Sequence, residues 1–243
     1  MKGIFYIFLC VALVRCNSSQ ENAQQVIDQT ILIAGGANYD NTEVEFEFRD
    51  REYGYKKQNG QFEFVRLFKD SAQVVHDIFT NQGFTREIDG IPVDVVDSMA
   101  RKYSNSINSV IYFALLPNGL NDPAVNKTYL GKKEIKGKAY HKIMITFDQA
   151  GGGDDFEDVF IYWINTTDQK IDYLAYEFHV DGGGIRFREA YNERYVGDIR
   201  FVDHINYKPS SELSLESVDD AYIKGELEEL SKIELKKIKV NKL

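Results

Sequence analysis

The sequence predicts a mainly β (α+β) protein: a curled antiparallel sheet or half-open β-barrel with two helices packed on its concave side. Three observations lead there. Apolar and polar residues alternate with period two over many short stretches, the pattern of strands with one wet face. Turn-forming pairs such as Asn59-Gly60, Asp89-Gly90 and Lys136-Gly137 separate those stretches. Two longer stretches switch instead to the spacing of an amphipathic helix.

The first helix is expected over residues 23–34, where Val26, Ile27, Thr30, Ile31 and Ala34 share one face. Ser18 and Glu21 have capping-box spacing, and Gly35-Gly36 is a stop signal. Over residues 41–58 the period becomes two. Val44, Phe46 and Phe48 alternate with Glu43, Glu45, Glu47 and Arg49, and the span reads as strand up to the Asn59-Gly60 hairpin. Beyond it Phe62, Phe64 and Arg66 alternate with Glu63, Val65 and Leu67, and further strands are expected at 73–80 and 84–88.

Asp94, after Pro92, reads as the N-cap of the second helix. Its apolar stripe runs from Val96 through Met99, Tyr103, Ile107 and Ile111 to Ala114, and Pro117-Asn118-Gly119 closes it. A stripe of that length has to be buried, and the sheet is the partner large enough to bury it. Strands resume at 128–134 and 140–147. In the tail, Ile233, Leu235, Ile238 and Val240 read as a last strand, while Leu227, Leu230 and Ile233 leave a short helix open. Closely spaced turns favour nearest-neighbour hairpins over crossovers.

With 243 residues, 43% of them hydrophobic, four prolines and no low-complexity linker, residues 23–243 read as a single globular domain. The net charge of −9 argues against nucleic acid as a partner, because phosphate binding rests on concentrated Lys and Arg. It also disfavours docking on anionic lipid by charge alone.

The amino terminus carries a different signal. Met1-Lys2 precedes an apolar run over residues 4–14, too short to span a bilayer and of the length of a signal-peptide core. The run ends in Leu13-Val14-Arg15-Cys16 before polar Asn17-Ser18-Ser19-Gln20, which resembles a bacterial lipobox with Arg15 where a small residue is usual. Residues 1–15 are therefore expected to leave as a signal peptide, Cys16 to take a lipid, and residues 16–22 to form a tether. Export to the cell envelope, with membrane contact through that anchor, follows; ordinary secretion is the alternative. Cys10 would leave with the signal, so no disulfide would hold the body of the protein together.

Residues 140–207 hold the densest run of strand signals, the single Trp, and two triple glycines, 151–153 and 182–184, each beside acids. A ligand site is expected here. If Asp181-Gly182-Gly183-Gly184 is the loop of a hairpin, Val180 faces Ile185, His179 faces Arg186, Phe178 faces Phe187 and Glu177 faces Arg188. That register gathers Glu177, His179, Arg186 and Arg188 on one face. A loop over 165–170 sets Trp163 opposite Asp172 and Tyr162 opposite Tyr173, placing Tyr173 with the polar group and Trp163 and Tyr176 on the apolar face. The candidate ligand-binding set is Tyr140, His141, Tyr162, Trp163, Tyr173, Tyr176, Glu177, His179, Arg186 and Arg188. In it the arginine forks would hold an anionic head group while aromatic rings line an apolar pocket. The competing account is a solvent-facing ion-pair ladder.

Asp148, Asp154, Asp155, Glu157 and Asp158 flank a glycine-rich loop whose oxygens could suit Ca²⁺, but the spacing is not that of an EF-hand, and a solvated loop is the simpler account. His76, His141, His179 and His204 have no metal-ligand spacing among them, and there is no P-loop or G-x-S-x-G. No catalytic residue, metal or cofactor is expected.

The runs SINSVIYFALLP (106–117), IKGKAYHKIMITF (135–147), GGGDDFEDVFIYWIN (151–165), DYLAYEFHVDGGGIRFREAYN (172–192) and FVDHINYKP (201–209) resemble an uncharacterised family of bacterial cell-envelope lipoproteins. Some members carry sugar-phosphate aldolase names, but neither a Schiff-base lysine pattern nor barrel periodicity supports such chemistry here. The element order is also similar to that of periplasmic lipoprotein carriers, half-open barrels capped by helices that bind acyl chains. The resemblance implies a non-catalytic, lipid-anchored binder of a lipid or other amphipathic small molecule. An envelope hydrolase using the His179/Arg186/Arg188 face and a structural module of an envelope complex are the alternatives.

Overall fold

Alternation in the sequence becomes two antiparallel sheets of seven strands each among the described residues. The computed structural model describes residues 14–153, 156–179 and 182–243, with side chains from residue 23 onward. The expected signal segment and the Cys16 side chain lie outside the described residues, as do Asp154, Asp155, Val180 and Asp181.

In the first sheet β1 (Thr42–Phe48), β2 (Arg51–Gln58), β3 (Gln61–Asp70), β4 (Gln73–Thr80), β5 (Gly83–Ile88) and β6 (Ile91–Val93) follow one another as a meander. The second is a meander of β7 (Val125–Ile135), β8 (Lys138–Phe147), β9 (Val159–Asn165), β10 (Ile171–Phe178), β11 (Gly184–Val196), β12 (Ile199–Pro209) and β13 (Leu227–Ile233). The last strand, β14 (Lys236–Lys242), returns to the first sheet and pairs antiparallel with β1. Every other pairing joins strands adjacent in sequence, as the close turn spacing implies, with residues 210–226 and their short helix inserted between β12 and β13. The mainly β class with helices packed on the sheets is what the periodicity indicated, with the strands shared between two sheets that do not close into a barrel.

Helix α1 (Val14–Ala34) lies on the second sheet, where Ala23, Val26 and Ile27 pack with Ile143, Ile145, Phe160, Tyr162 and Leu174. Helix α2 (Asp97–Ala114) links the two sheets; its Ile107 and Ile111 pack with Phe46, Tyr53 and Tyr55 of the first. A third cluster covers the opposite, outer face of the second sheet. There Trp163, Tyr173, Ala175, Ile185 and Phe187 meet Leu215 and Val218 at the start of the short helix α3 (Val218–Lys224).

Four local expectations are corrected. The span 41–58 is two strands, turned at Arg49 and Asp50 with φ of 49° and 58°. Positive φ at both positions matches the right-handed twist of a hairpin, but the turn lacks the glycine that usually announces it. Helix α1 starts at Val14, so it runs through the expected tether and encloses the Ser18/Glu21 pair instead of being capped by it. Helix α2 begins at Asp97 with extended Val96 at its cap, three residues beyond Asp94. Helix α3 was not anticipated, because seven residues are too few for periodicity to register; its end at Gly225, with φ of 74°, is a left-handed cap.

Candidate functional site

A cavity of about 590 Å³ lies between α2 and the inner face of the second sheet. Helix α2 contributes Ser106, Val110, Tyr112 and Phe113; the sheet contributes Phe160, Tyr176, Arg186, Arg188, His204 and Asn206; the β1–β2 turn adds Phe48 and Arg49. Rings dominate its wall. Phe113 and Tyr176 have centroids 5.2 Å apart, Phe160 and Tyr176 stack at 5.5 Å, and Tyr112 meets Phe160 edge-on at 5.6 Å.

The arginines face this cavity because the β10–β11 register differs from the expected one. Leu174 pairs with Arg188, Ala175 with Phe187, Tyr176 with Arg186 and Glu177 with Ile185. The pairing is displaced by three residues, an odd number, so every expected facing is inverted. Arg186 and Arg188 therefore share the inner face with Tyr176, while Glu177 points to the other side of the sheet. The polar cluster of Glu177, His179, Arg186 and Arg188 does not form, and exposed His179 does not line the cavity.

The β9–β10 pairing is also corrected. Ile171 pairs with Ile164, an irregularity follows at Asp172, and then Trp163 pairs with Tyr173 and Tyr162 with Leu174. The extra residue shifts the expected Trp163–Asp172 and Tyr162–Tyr173 partners by one. Trp163 and Tyr173 thus sit on the outer face beneath α3, together with Tyr140. The indole Nε1 of Trp163 donates to fully buried Asp219 at 3.0 Å, and Lys142 Nζ donates to the same carboxylate at 2.8 Å. Tyr140 donates to Asp172 at 3.1 Å. Of the remaining candidates, Tyr162 lies on the inner side behind Tyr112, their hydroxyls 2.6 Å apart, and His141 meets Tyr129 at 3.1 Å. Burial pushes both phenols of the Tyr112–Tyr162 pair well above the ordinary tyrosine pKa, so neither serves as a base near neutral pH.

Three of the ten candidates, Tyr176, Arg186 and Arg188, therefore line one cavity. Reading the sequence missed Arg49, Tyr112, Phe113, His204 and Asn206. Phe113 and Tyr112 stood within the recognised helix, but nothing in the spacing says that its second face looks into a void.

Arg188 is 8% exposed. Its Nη2 donates to Tyr176 at 2.9 Å and its guanidinium carbon stands 3.9 Å from the Phe113 centroid. Among the described residues its Nε is buried without a partner, and so is Oδ1 of Asn206, the residue opposite it on β12. Among the described residues no carboxylate forms an ion pair with Arg188. Burial pushes its pKa down, with Tyr176 and Tyr162 opposing. His204 is held neutral, its pKa lowered to about 3 by burial and then by Arg188 and Arg200. Among the described residues no group of three or more His, Cys, Asp or Glu is placed to hold a metal ion, and no helix is long and apolar enough to cross a membrane.

Fold and site together define an open antiparallel β architecture with a helix-covered, aromatic cavity on its inner side. The chain belongs to a family of unknown function, DUF6503, whose model matches residues 2–235. No curated protein matches it. Among solved structures it is similar to a LolA superfamily protein from Nitrosomonas europaea, at 14% identity and a TM-score of 0.46 over 91% of this chain and 94% of that one. It is also similar to a DUF1329 family protein from Desulfovibrio piger, at 10% identity and a TM-score of 0.48 over 89% of this chain and 92% of that one.

Proposed function

We propose that this protein is a lipid-anchored component of the cell envelope that takes a hydrophobic or amphipathic ligand into the cavity between α2 and the second sheet without turning it over. One observation carries the reading: the cavity joins aromatic walls to buried Arg188, which has no carboxylate ion-pair partner among the described residues. Its volume falls within the range of small-molecule sites. A buried cation without a counter-ion costs several kcal/mol, a cost that an anionic or strongly polar ligand end would offset. The anchor rests on the apolar run of residues 4–14 ending at Cys16. His179, the histidine of the hydrolase alternative, does not line the cavity, and His204, which does, is buried and held neutral.

Native mass spectrometry of the purified protein, with uptake of an apolar fluorescent probe and its competition by lipid extracts, tests the binding. Co-purifying lipid and competitive displacement are expected; absence of both would end this reading. Cys16→Ser is expected to abolish labelling by a fatty-acid analogue and release the protein from the membrane fraction. Wild-type labelling and fractionation of that variant would remove the anchor.

A further inference from the structure

The polar lining of the cavity has a direction. Arg49 is exposed at the rim, Arg186 is half-buried, and Arg188 lies deepest at 8% exposure. Arg186 is occupied locally, donating to the carbonyl of Ile185 at 2.9 Å and lying over Phe178. Asp158, the carboxylate among the described lining residues, has an interaction of its own. At Arg188 the hydrogen-bonding capacity is incomplete. Among the described residues its Nε–H has no acceptor, and the Oδ1 of Asn206 across the ladder has no donor. The hydroxyl of Tyr176 accepts from Arg188 Nη2, and among the described residues its own proton has no acceptor.

Buried polar groups in folded proteins are almost always paired, because leaving one unpaired costs most of its desolvation. Two buried atoms unpaired among the described residues, on directly opposed residues that both line the cavity, are the capacity a ligand could complete. We infer that the deep end of the cavity is a carboxylate subsite, and that the ligand is an acyl chain ending in a free carboxylate, bound head-first with its chain among Tyr112, Phe113 and Phe160. One carboxylate oxygen accepts from Arg188 Nε and the other from the Tyr176 hydroxyl. A half-turn of the Asn206 amide would present Nδ2 as a third donor in place of the orphan acceptor. A planar acid meets such a set better than an alcohol, which brings no charge to the guanidinium. The inference rests on the reading that the cavity takes up an amphiphile, and it adds the head-group chemistry and the orientation.

The test is displacement of an apolar fluorescent probe from the purified protein by palmitate, hexadecanol and hexadecyl phosphate at one pH near 7.5. Palmitate is expected to displace at a free concentration at least about tenfold lower than hexadecanol, a floor that two added charge-assisted bonds exceed. Arg188→Met, which replaces a buried charge by an apolar chain, is expected to erase that preference, read as the ratio of palmitate to hexadecanol displacement within the same variant. Tyr176→Phe is expected to reduce the preference several-fold, and it decides the question if Arg188→Met fails to fold. Equal displacement by acid and alcohol in the wild type, or a preference that survives both substitutions, overturns the subsite. Tighter displacement by the phosphate than by palmitate overturns the carboxylate assignment. Failure of every chain, and of the probe itself, to bind would instead count against the amphiphile reading.

Discussion

Arg188 lies across the face of Phe113, its guanidinium carbon 3.9 Å from the ring centroid, so β11 is tied to α2 by a cation resting on an aromatic ring. Such contacts strengthen as water is excluded, reaching about 2 kcal/mol or more when desolvated. Phe113→Leu is expected to lower stability to urea by about 1–2 kcal/mol. In an Arg188→Met background the same change should cost less, and the double-mutant cycle reads the coupling directly. Additive effects would show that the ring and the cation act separately.

His204 gives the protein an acid sensitivity of known sign. Its folded pKa is lowered to about 3, below the ordinary histidine value, so near pH 5 the unfolded chain binds a proton there that the folded chain refuses. Stability from this group is complete above pH ~6.5 and falls as pH drops toward 3, by about 1.4 kcal/mol per unit. Between pH 7 and pH 5 the loss should be about 2 kcal/mol. His204→Gln should flatten urea midpoints over that interval; an unchanged slope would place the sensitivity elsewhere.

The first sheet holds a buried charge cluster in which Asp77, fully buried, is shared by two arginines. Arg66 donates to it at 2.6 and 3.0 Å and Arg86 at 2.6 and 3.0 Å, while Arg86 also stacks 3.8 Å from the ring of Tyr103 on α2. Removing the carboxylate leaves two cations facing one another without compensation. Asp77→Asn is expected to cost about 3–5 kcal/mol in equilibrium unfolding. A loss below 1 kcal/mol would mean that solvent reaches the arginines.

Trp163 is fully buried on the outer face of the sheet, away from the cavity. Its emission should be blue-shifted, resist acrylamide quenching and stay unchanged when a ligand fills the cavity. Phe113→Trp in a Trp163→Phe background should respond to the same ligand. A wild-type response equal to that of the relocated Trp would contradict the two-faced arrangement.

Much of the fold was legible because turn chemistry and periodicity are local properties. Asn59-Gly60, Asp89-Gly90 and Lys136-Gly137 each close a hairpin with both residues at positive φ, and glycine or asparagine there is visible in the sequence itself. The helical stripe of α2 and the strand β4 (Gln73–Thr80) were equally plain. The Arg49–Asp50 turn was not, since nothing in an arginine announces left-handed backbone.

By itself, then, the sequence determined the mainly β class, the two long helices, most hairpins, and the arginines of β11 as groups worth watching. Tertiary structure alone decided which face they occupy. Strand β9 is buried on both sides, under α1 and α2 within and α3 without, so the run Phe160, Ile161, Tyr162, Trp163, Ile164 shows no alternation to distinguish inner from outer. Its neighbours' facing then depended on an irregularity at Asp172 and on where the β10–β11 loop closed, and with a side-chain period of two an odd displacement reverses everything. The observed register is the one that packs Phe187, fully buried, on Tyr222 of α3 at 4.5 Å, a long-range contact that leaves Arg186 and Arg188 on the cavity side.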